Sequence, residues 1–199
     1  MAGETHLRES TADLSQLVQR AKEGDMEAFE QIFHRLHRYV YRLAYQMVGH
    51  EEDATDLTQE VFVRVYTGLP RLREVQTFLT WLRRMTLNLC RTHLKKKKRW
   101  RVISLDEPAG EEEPLAEQIP DLSAEPGQQM EAAERQALLR QAIAALPLLQ
   151  REVVVLHHLE GLEIAQIAQI LRCPEGTVKS RLARAREALK RRLRPYVEG

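Results

Sequence analysis

The chain has 199 residues, 43% of them hydrophobic and 6% aromatic, with a formal net charge of +1. That length suits one ordinary domain or two small ones with real cores, and the composition excludes collagen-like, mucin-like and wholly disordered chains. So small a net charge excludes a uniformly basic nucleic-acid binder, but not one whose charge is segregated along the chain.

The first ten residues are polar and charged, with no apolar signal-peptide stretch. No window approaches the roughly 18 apolar residues that a membrane span requires. A soluble, cytoplasmic chain with no membrane insertion of its own is expected. Leu14, Leu17, Val18 and Ala21 recur at helical spacing, and Gly24 closes that turn. Asp25 can cap a second helix, in which Phe29, Ile32, Phe33, Leu36, Val40, Leu43, Ala44 and Met47 form one apolar stripe ending at Gly49. A third helix is expected from near Asp53, burying Ala54, Leu57, Val61 and Val65, with Gly68-Leu69-Pro70 as its breaker. A fourth starts near Thr77, with Phe78, Trp81, Leu82, Met85 and Leu89 facing a core. Together these make a helical domain over 11–101.

The basic run Lys95 to Arg101 closes that domain. From Val102 to Glu134 there are ten acidic residues and no Lys or Arg. With four prolines and no apolar stripe, 102–129 reads as a flexible acidic linker. A second helical unit is expected over 130–195. Ala133, Ala137, Leu138 and Ala144 give one helix, stopped by Pro147, and Leu149, Val153 and Leu156 give another, ending before Gly161. Cys90 and Cys173 lie far apart in helical patterns, which argues against a disulfide framework and for a reducing compartment.

The sharpest pattern lies between Gly161 and Leu193. Ile164, Ile167, Ala168 and Leu171 line a short helix. Pro174 suits the first position of the next, where Val178, Leu182, Ala185 and Leu189 repeat on one side. The other side displays Lys179, Ser180, Arg181, Arg184 and Arg186. This is the pattern of a helix-turn-helix, whose second helix enters the major groove N-terminus first. Arg172 stands where such turns commonly carry glycine. Arginine and lysine can donate to guanine O6 and N7, whereas Lys190 and Arg191, further along, suit backbone phosphates. The bland alternative is a solvated basic helix face.

Three stretches carry a resemblance to a known family. Cys173-Pro174-Glu175-Gly176-Thr177-Val178-Lys179-Ser180-Arg181-Leu182 followed by Ala183-Arg184-Ala185-Arg186-Glu187 resembles region 4.2 of the extracytoplasmic-function (ECF) sigma factors of bacterial RNA polymerase. Asp53-Ala54-Thr55-Asp56-Leu57-Thr58-Gln59-Glu60-Val61-Phe62 resembles their region 2.2, and Phe78-Leu79-Thr80-Trp81-Leu82-Arg83-Arg84-Met85-Thr86-Leu87-Asn88 their region 2.4. The resemblance implies an all-α chain, with a region 2 bundle and a region 4 helix-turn-helix joined by the acidic linker. It implies core polymerase as a partner, through a coiled coil of the largest subunit and through the flap, with Asp56, Gln59 and Glu60 at the coiled coil. Promoter DNA is the second implied partner. Arg71, Leu72, Arg73, Asn88, Thr92 and Lys95 would meet the melted minus-ten element, and Thr177, Lys179, Ser180, Arg181 and Arg184 the minus-thirty-five element. An anti-sigma factor is a third implied partner. Trp81 is expected in the core, and the more exposed Trp100 is a candidate stacking surface. His157 and His158 fall where the family touches DNA backbone. The linker matches the family's segment in the RNA exit path, where its carboxylates would mimic RNA charge; a solubilising tether is the plain alternative.

No enzyme reading survives the residues. His34 and His37 lack further ligands at metal-binding spacing, and Glu51, Glu52, Asp53 and Asp56 lack a partnered nucleophile or a phosphate loop. No catalytic residue, metal or cofactor is expected. The rival functions are a stand-alone helix-turn-helix regulator, which would need no polymerase, and a protein–protein adaptor such as an anti-sigma decoy, which would need no DNA.

Overall fold

The computed structural model describes residues 3–103 and 126–197, with side chains over 13–99 and 135–196. Most of the acidic linker and the ring of Trp100 therefore fall outside the described residues. The described chain forms eight α-helices: α1 (Gly3–Lys22), α2 (Met26–Val48), α3 (Glu51–Gly68), α4 (Phe78–Ile103), α5 (Pro126–Ala144), α6 (Leu148–Val154), α7 (Ile164–Leu171) and α8 (Glu175–Val197). No strand occurs among the described residues. Contacts divide the chain into two units, Met1–Tyr45 with Glu51–Cys90, and Gln46–His50 with Arg91–Gly199. The C-terminal ends of α2 and α4 thus belong to the second unit.

In the first unit most of each apolar stripe is buried, with Ala21, Phe29, Phe33, Leu36 and Met85 half-buried at its margins. Leu14, Leu17 and Val18 of α1 and Ile32, Val40, Leu43 and Ala44 of α2 are buried. Gly24, at φ +97, turns the chain between the two helices. Asp25 then caps α2: its Oδ1 accepts the Ala28 N–H at 3.0 Å, and its Oδ2 accepts the Arg20 Nε–H at 2.8 Å. The Ala28 amide and then the Arg20 guanidinium hold this carboxyl below its ordinary value.

Helix α3 begins at Glu51, two residues before the expected start, and places Glu51, Glu52 and Asp53 in its first turn, where the helix dipole favours them. Besides the four expected residues it buries Phe62 and Thr58. A buried threonine is tolerated because its hydroxyl donates to the Ala54 carbonyl at 2.7 Å. Phe33 of α2 meets Phe62 edge-on at 4.8 Å, and Phe29 meets Tyr66 at 5.1 Å. Arg83 of α4 donates to the Tyr39 hydroxyl of α2 at 2.7 Å.

In the second unit α6 packs on α5 and α8, and α7 packs on α8. Helix α5 starts at Pro126, ahead of the expected Met130, because proline suits a helix's first position. It buries Ala142 and Ile143, with Leu146 following, while Ala144 is exposed. Of the expected stripe Val153 and Leu156 are fully buried, joined by Glu152 and Val154, whereas Leu149 at the start of α6 is 48% exposed. Glu152 has no solvent exposure, and both its carboxylate oxygens accept from the Arg91 guanidinium of α4, Oε2 from Nη2 at 2.7 Å and Oε1 from Nε. The pair holds Arg91 above its usual value, the hydrogen bond to Glu152 being the main cause. Next to it, Arg151 donates to the Met47 carbonyl at 2.5 Å and to the Ala144 carbonyl, satisfying the C-terminal ends of α2 and α5.

A π-helical turn, Val155–Leu159, follows α6, and His157 Nδ1 lies 2.9 Å from the Leu162 carbonyl. Gly161, at φ +68, then reverses the chain into α7.

Two outcomes are expected. Arg91→Ala strands the Glu152 carboxylate and should cost about 3 kcal/mol in denaturant unfolding. Arg35→Ala, which breaks the exposed 2.6 Å pair with Asp13, should cost under about 1 kcal/mol; equal costs would contradict the buried pair's role. His158, although exposed, is held below its ordinary 6.5 by partial desolvation, then by His157 and Arg186. The unfolded chain therefore takes up this proton more readily, and stability present above pH 6.5 should fall as pH drops through that value. The slope of unfolding free energy against pH should flatten in His158→Gln; an unchanged slope would refute the assignment.

Candidate nucleic-acid interface

Three apolar residues of α8, Val178, Leu182 and Ala185, have no solvent exposure. Their burial turns the rest of the helix outward. Lys179, Ser180, Arg184 and Arg186 are exposed, and Thr177 and Arg181 are half-buried at the rim. Lys179 stands 3.9 Å from Glu175 one turn earlier, an exposed pair that holds it weakly. The Ser180 hydroxyl donates to the Thr177 carbonyl at 3.0 Å, which fixes its rotamer and leaves lone pairs facing out. All five expected minus-thirty-five residues therefore lie on the accessible part of one helix.

Helix α7 supplies the first half of the motif. Ile167 and Ile170 are buried, and the Gln166 side chain accepts the Glu163 N–H at 3.0 Å, tying off its N-terminus. Pro174 precedes α8 instead of occupying its first position; its carbonyl accepts from Thr177 and Val178. Arg172 ends α7 in the left-handed region, at φ 52 and ψ 50.

In the first unit, Asp56, Gln59 and Glu60 are exposed on the side of α3 opposite Ala54, Leu57 and Val61. Glu60 pairs with Arg64 at 2.5 Å. The same exposed side continues into Val63, 63% exposed, and Tyr66, 52% exposed. Sequence reasoning missed these two; the signal available was an apolar residue falling off the buried stripe.

Between α3 and α4 the chain makes two short 3-10 turns, Leu69–Arg71 and Val75–Thr77. Arg71 and Arg73 are exposed and Leu72 is half-buried. Gly68 packs closely at the entrance: a Cβ there would stand 3.0 Å from Trp81 Cζ2, so the indole would have to shift by a few tenths of an ångström to admit one. Trp81 is half-buried, 6.0 Å from Phe78, and so belongs to the packing under this loop. Asn88, Thr92 and Lys95 fall at successive turns of α4 and are all exposed. The expected minus-ten residues are not gathered into a cavity. In the first unit Arg71, Leu72 and Arg73 lie on the loop and Asn88 on α4; Thr92 and Lys95 lie on the end of α4 that belongs to the second unit.

His34 and His37 are exposed, and no group of three metal-binding side chains occurs among the described residues. No helix of the described residues is long and apolar enough to cross a membrane.

The sequence matches the family models Sigma-70 region 2 over residues 32–100 and Sigma-70, region 4 over residues 136–189. It is 33% identical over 177 residues to the ECF RNA polymerase sigma factor SigW of Bacillus subtilis, covering 89% of this chain and 95% of that protein. It is 34% identical over 184 residues to the RNA polymerase sigma-H factor of Pseudomonas aeruginosa, covering 92% and 94%. The fold is similar to that of CnrH in complex with the cytosolic domain of CnrY, with a TM-score of 0.64 and 23% identity over 91% of this chain and 97% of that one. Two family regions in order, on the helices that carry the basic faces, and full-length relatives above 30% identity place this chain in the sigma-70 family as an ECF RNA polymerase sigma factor.

Proposed function

We propose that this sigma factor binds core RNA polymerase in the cytoplasm and brings it to promoters with two elements, each unit reading one. The observation that carries this reading is the outward basic face of α8, fixed by the complete burial of Val178, Leu182 and Ala185 behind it. In this assignment domain 11–101 is region 2, 102–129 the linker and 130–195 region 4. Asp56, Gln59 and Glu60, extended by Val63 and Tyr66, dock on the coiled coil of the polymerase's largest subunit. The acidic end of that face complements a basic partner, and the apolar end contributes burial. The flap is the partner of the second domain.

Arg71, Leu72 and Arg73 hold a flipped base of the melted minus-ten element, and Asn88, Thr92 and Lys95 follow the strand along α4. A linear array of this kind suits an extended single strand better than a compact ligand. Thr177, Lys179, Ser180, Arg181 and Arg184 read duplex DNA at the minus-thirty-five element. The chain itself supplies no catalytic group; bond formation belongs to the polymerase. An anti-sigma factor is the proposed inhibitor, in line with the similarly folded sigma factor RpoE of Bartonella quintana, solved in complex with the anti-sigma factor NepR.

The test is reconstitution. Core polymerase with this chain should initiate on promoters recovered from a genomic library, and Arg181→Ala should weaken binding to them by about 1–3 kcal/mol if its contact is bidentate. No initiation at all would discard the reading. Tight duplex binding without polymerase would favour the stand-alone regulator, and indifference to Arg181→Ala would favour the adaptor.

A further inference from the structure

Positive backbone φ angles occur at four described residues, Gly24, Gly49, Gly161 and Arg172. Three are glycine, which enters this region without steric cost. Arg172 is different: its Cβ crowds the backbone in a left-handed conformation. The cap geometry requires that conformation, since the N–H groups of Arg172 and Cys173 both reach the Ala168 carbonyl. These two backbone bonds offset part of the strain, but the side chain adds nothing to them. Arg172 is exposed, and its guanidinium forms no hydrogen bond or ion pair with a described residue.

Its place gives a reason for keeping it. Arg172 lies in the turn between α7 and α8, three residues before Glu175 opens α8. When a helix-turn-helix docks, the first helix crosses the sugar-phosphate backbone and the second enters the groove by its N-terminus. The turn between them then sits at the groove's edge, over phosphates. Leu171 is half-buried, so Arg172 is the first exposed side chain after α7's apolar face.

We infer that Arg172 is a further DNA-contacting residue, a phosphate clamp at the lip of the groove that sets the register of α8. Its planar guanidinium suits a phosphate and carries no base specificity. Glycine would relax the turn and lose the clamp. The inference rests on the proposed minus-thirty-five reading and deepens it.

The experiment compares holoenzymes carrying wild-type, Arg172→Gly, Arg172→Lys and Arg181→Ala chains on a promoter recovered by the reconstitution, over a range of salt concentrations. Arg172→Gly should unfold no earlier than wild type, because relief of the left-handed strain offsets glycine's flexibility. It should bind about tenfold more weakly at low salt. Its log–log salt slope should be shallower by about 0.9, the loss of one phosphate contact. Arg172→Lys, which keeps the charge, should retain most of that slope. Wild-type affinity in Arg172→Gly, or weaker binding with an unchanged slope, would overturn the inference. Arg181→Ala separates the levels. If it weakens binding while Arg172→Gly does not, only the clamp is lost; if neither does, the reading of α8 falls as well.

Discussion

A carboxylate removed from solvent must meet a cation or lose its charge, and Glu152 meets Arg91. This contact decides more than its own free energy. Helix α6 and the π-helical turn after it carry Val153, Val154, Val155 and Leu156 in succession, all buried. Four consecutive apolar residues cover every side of a helix, so hydrophobic burial alone does not define which side faces inward. The bidentate pair does, since only one rotation brings Glu152 onto Arg91. Replacing such a pair by apolar residues often leaves stability unchanged, and setting a register is its best-attested use. Once α6 is fixed, the surface that receives Val178, Leu182 and Ala185 is fixed, and with it the outward direction of Lys179 and Arg184.

The same contact marks the boundary of what the sequence could reveal. Helices with a clear stripe on one side announced themselves: α3 buries all the residues its 3.6-residue period picks out, and α2 and α8 bury most of theirs, with Phe29, Phe33, Leu36 and Leu189 half-buried. Turns with local chemistry did so too, as at Gly24 and Gly161 and at Asp25, whose cap bonds are made within three residues. Arg91 and Glu152 lie 61 residues apart, and neither has a neighbour that hints at the other. That is why the burial of Glu152 was not legible, although Val153 and Leu156 beside it lie inside as their spacing requires. Helix α5 was misjudged for a different reason: Pro126 reads as a breaker in an acidic stretch, yet proline is acceptable where a helix begins. The candidate site was legible as far as position on a helix went. Exposure of Asp56, Asn88 and Lys179 follows from the stripes they avoid. The exposed Val63 and Tyr66 escaped, because an apolar residue off the stripe looks like noise until its solvent exposure is measured.

Charge segregation explains how a chain of net charge +1 can carry a DNA-reading surface. Screening limits an exposed charge's influence to about 8–10 Å at physiological salt. What a phosphate senses is therefore the local set, not the sum. From Arg172 to Arg194 that set is nine cations against two anions, and one of the anions, Glu175, sits in the first turn of α8 where the dipole favours it. Its pair with Lys179, at 3.9 Å and exposed on both sides, is too weak to withhold that lysine from a phosphate.

These features place the C-terminal unit under a consistent tension. Clustered exposed cations repel one another in the free chain, and the repulsion is relieved when phosphates approach. Arg172 adds backbone strain at the turn that aims α8. Both costs fall on the unbound state. Against them stand the completely buried α8 stripe and the Glu152–Arg91 pair. The unit is thus rigid where it must hold an orientation and unsatisfied where DNA is to complete it. Relaxing the surface by removing cations, or by placing glycine at the turn, would give a more comfortable fold with less reason to bind. On the proposed reading, the strain at Arg172 and the mutual repulsion of the exposed cations of α8 would be relieved when a polyanion binds.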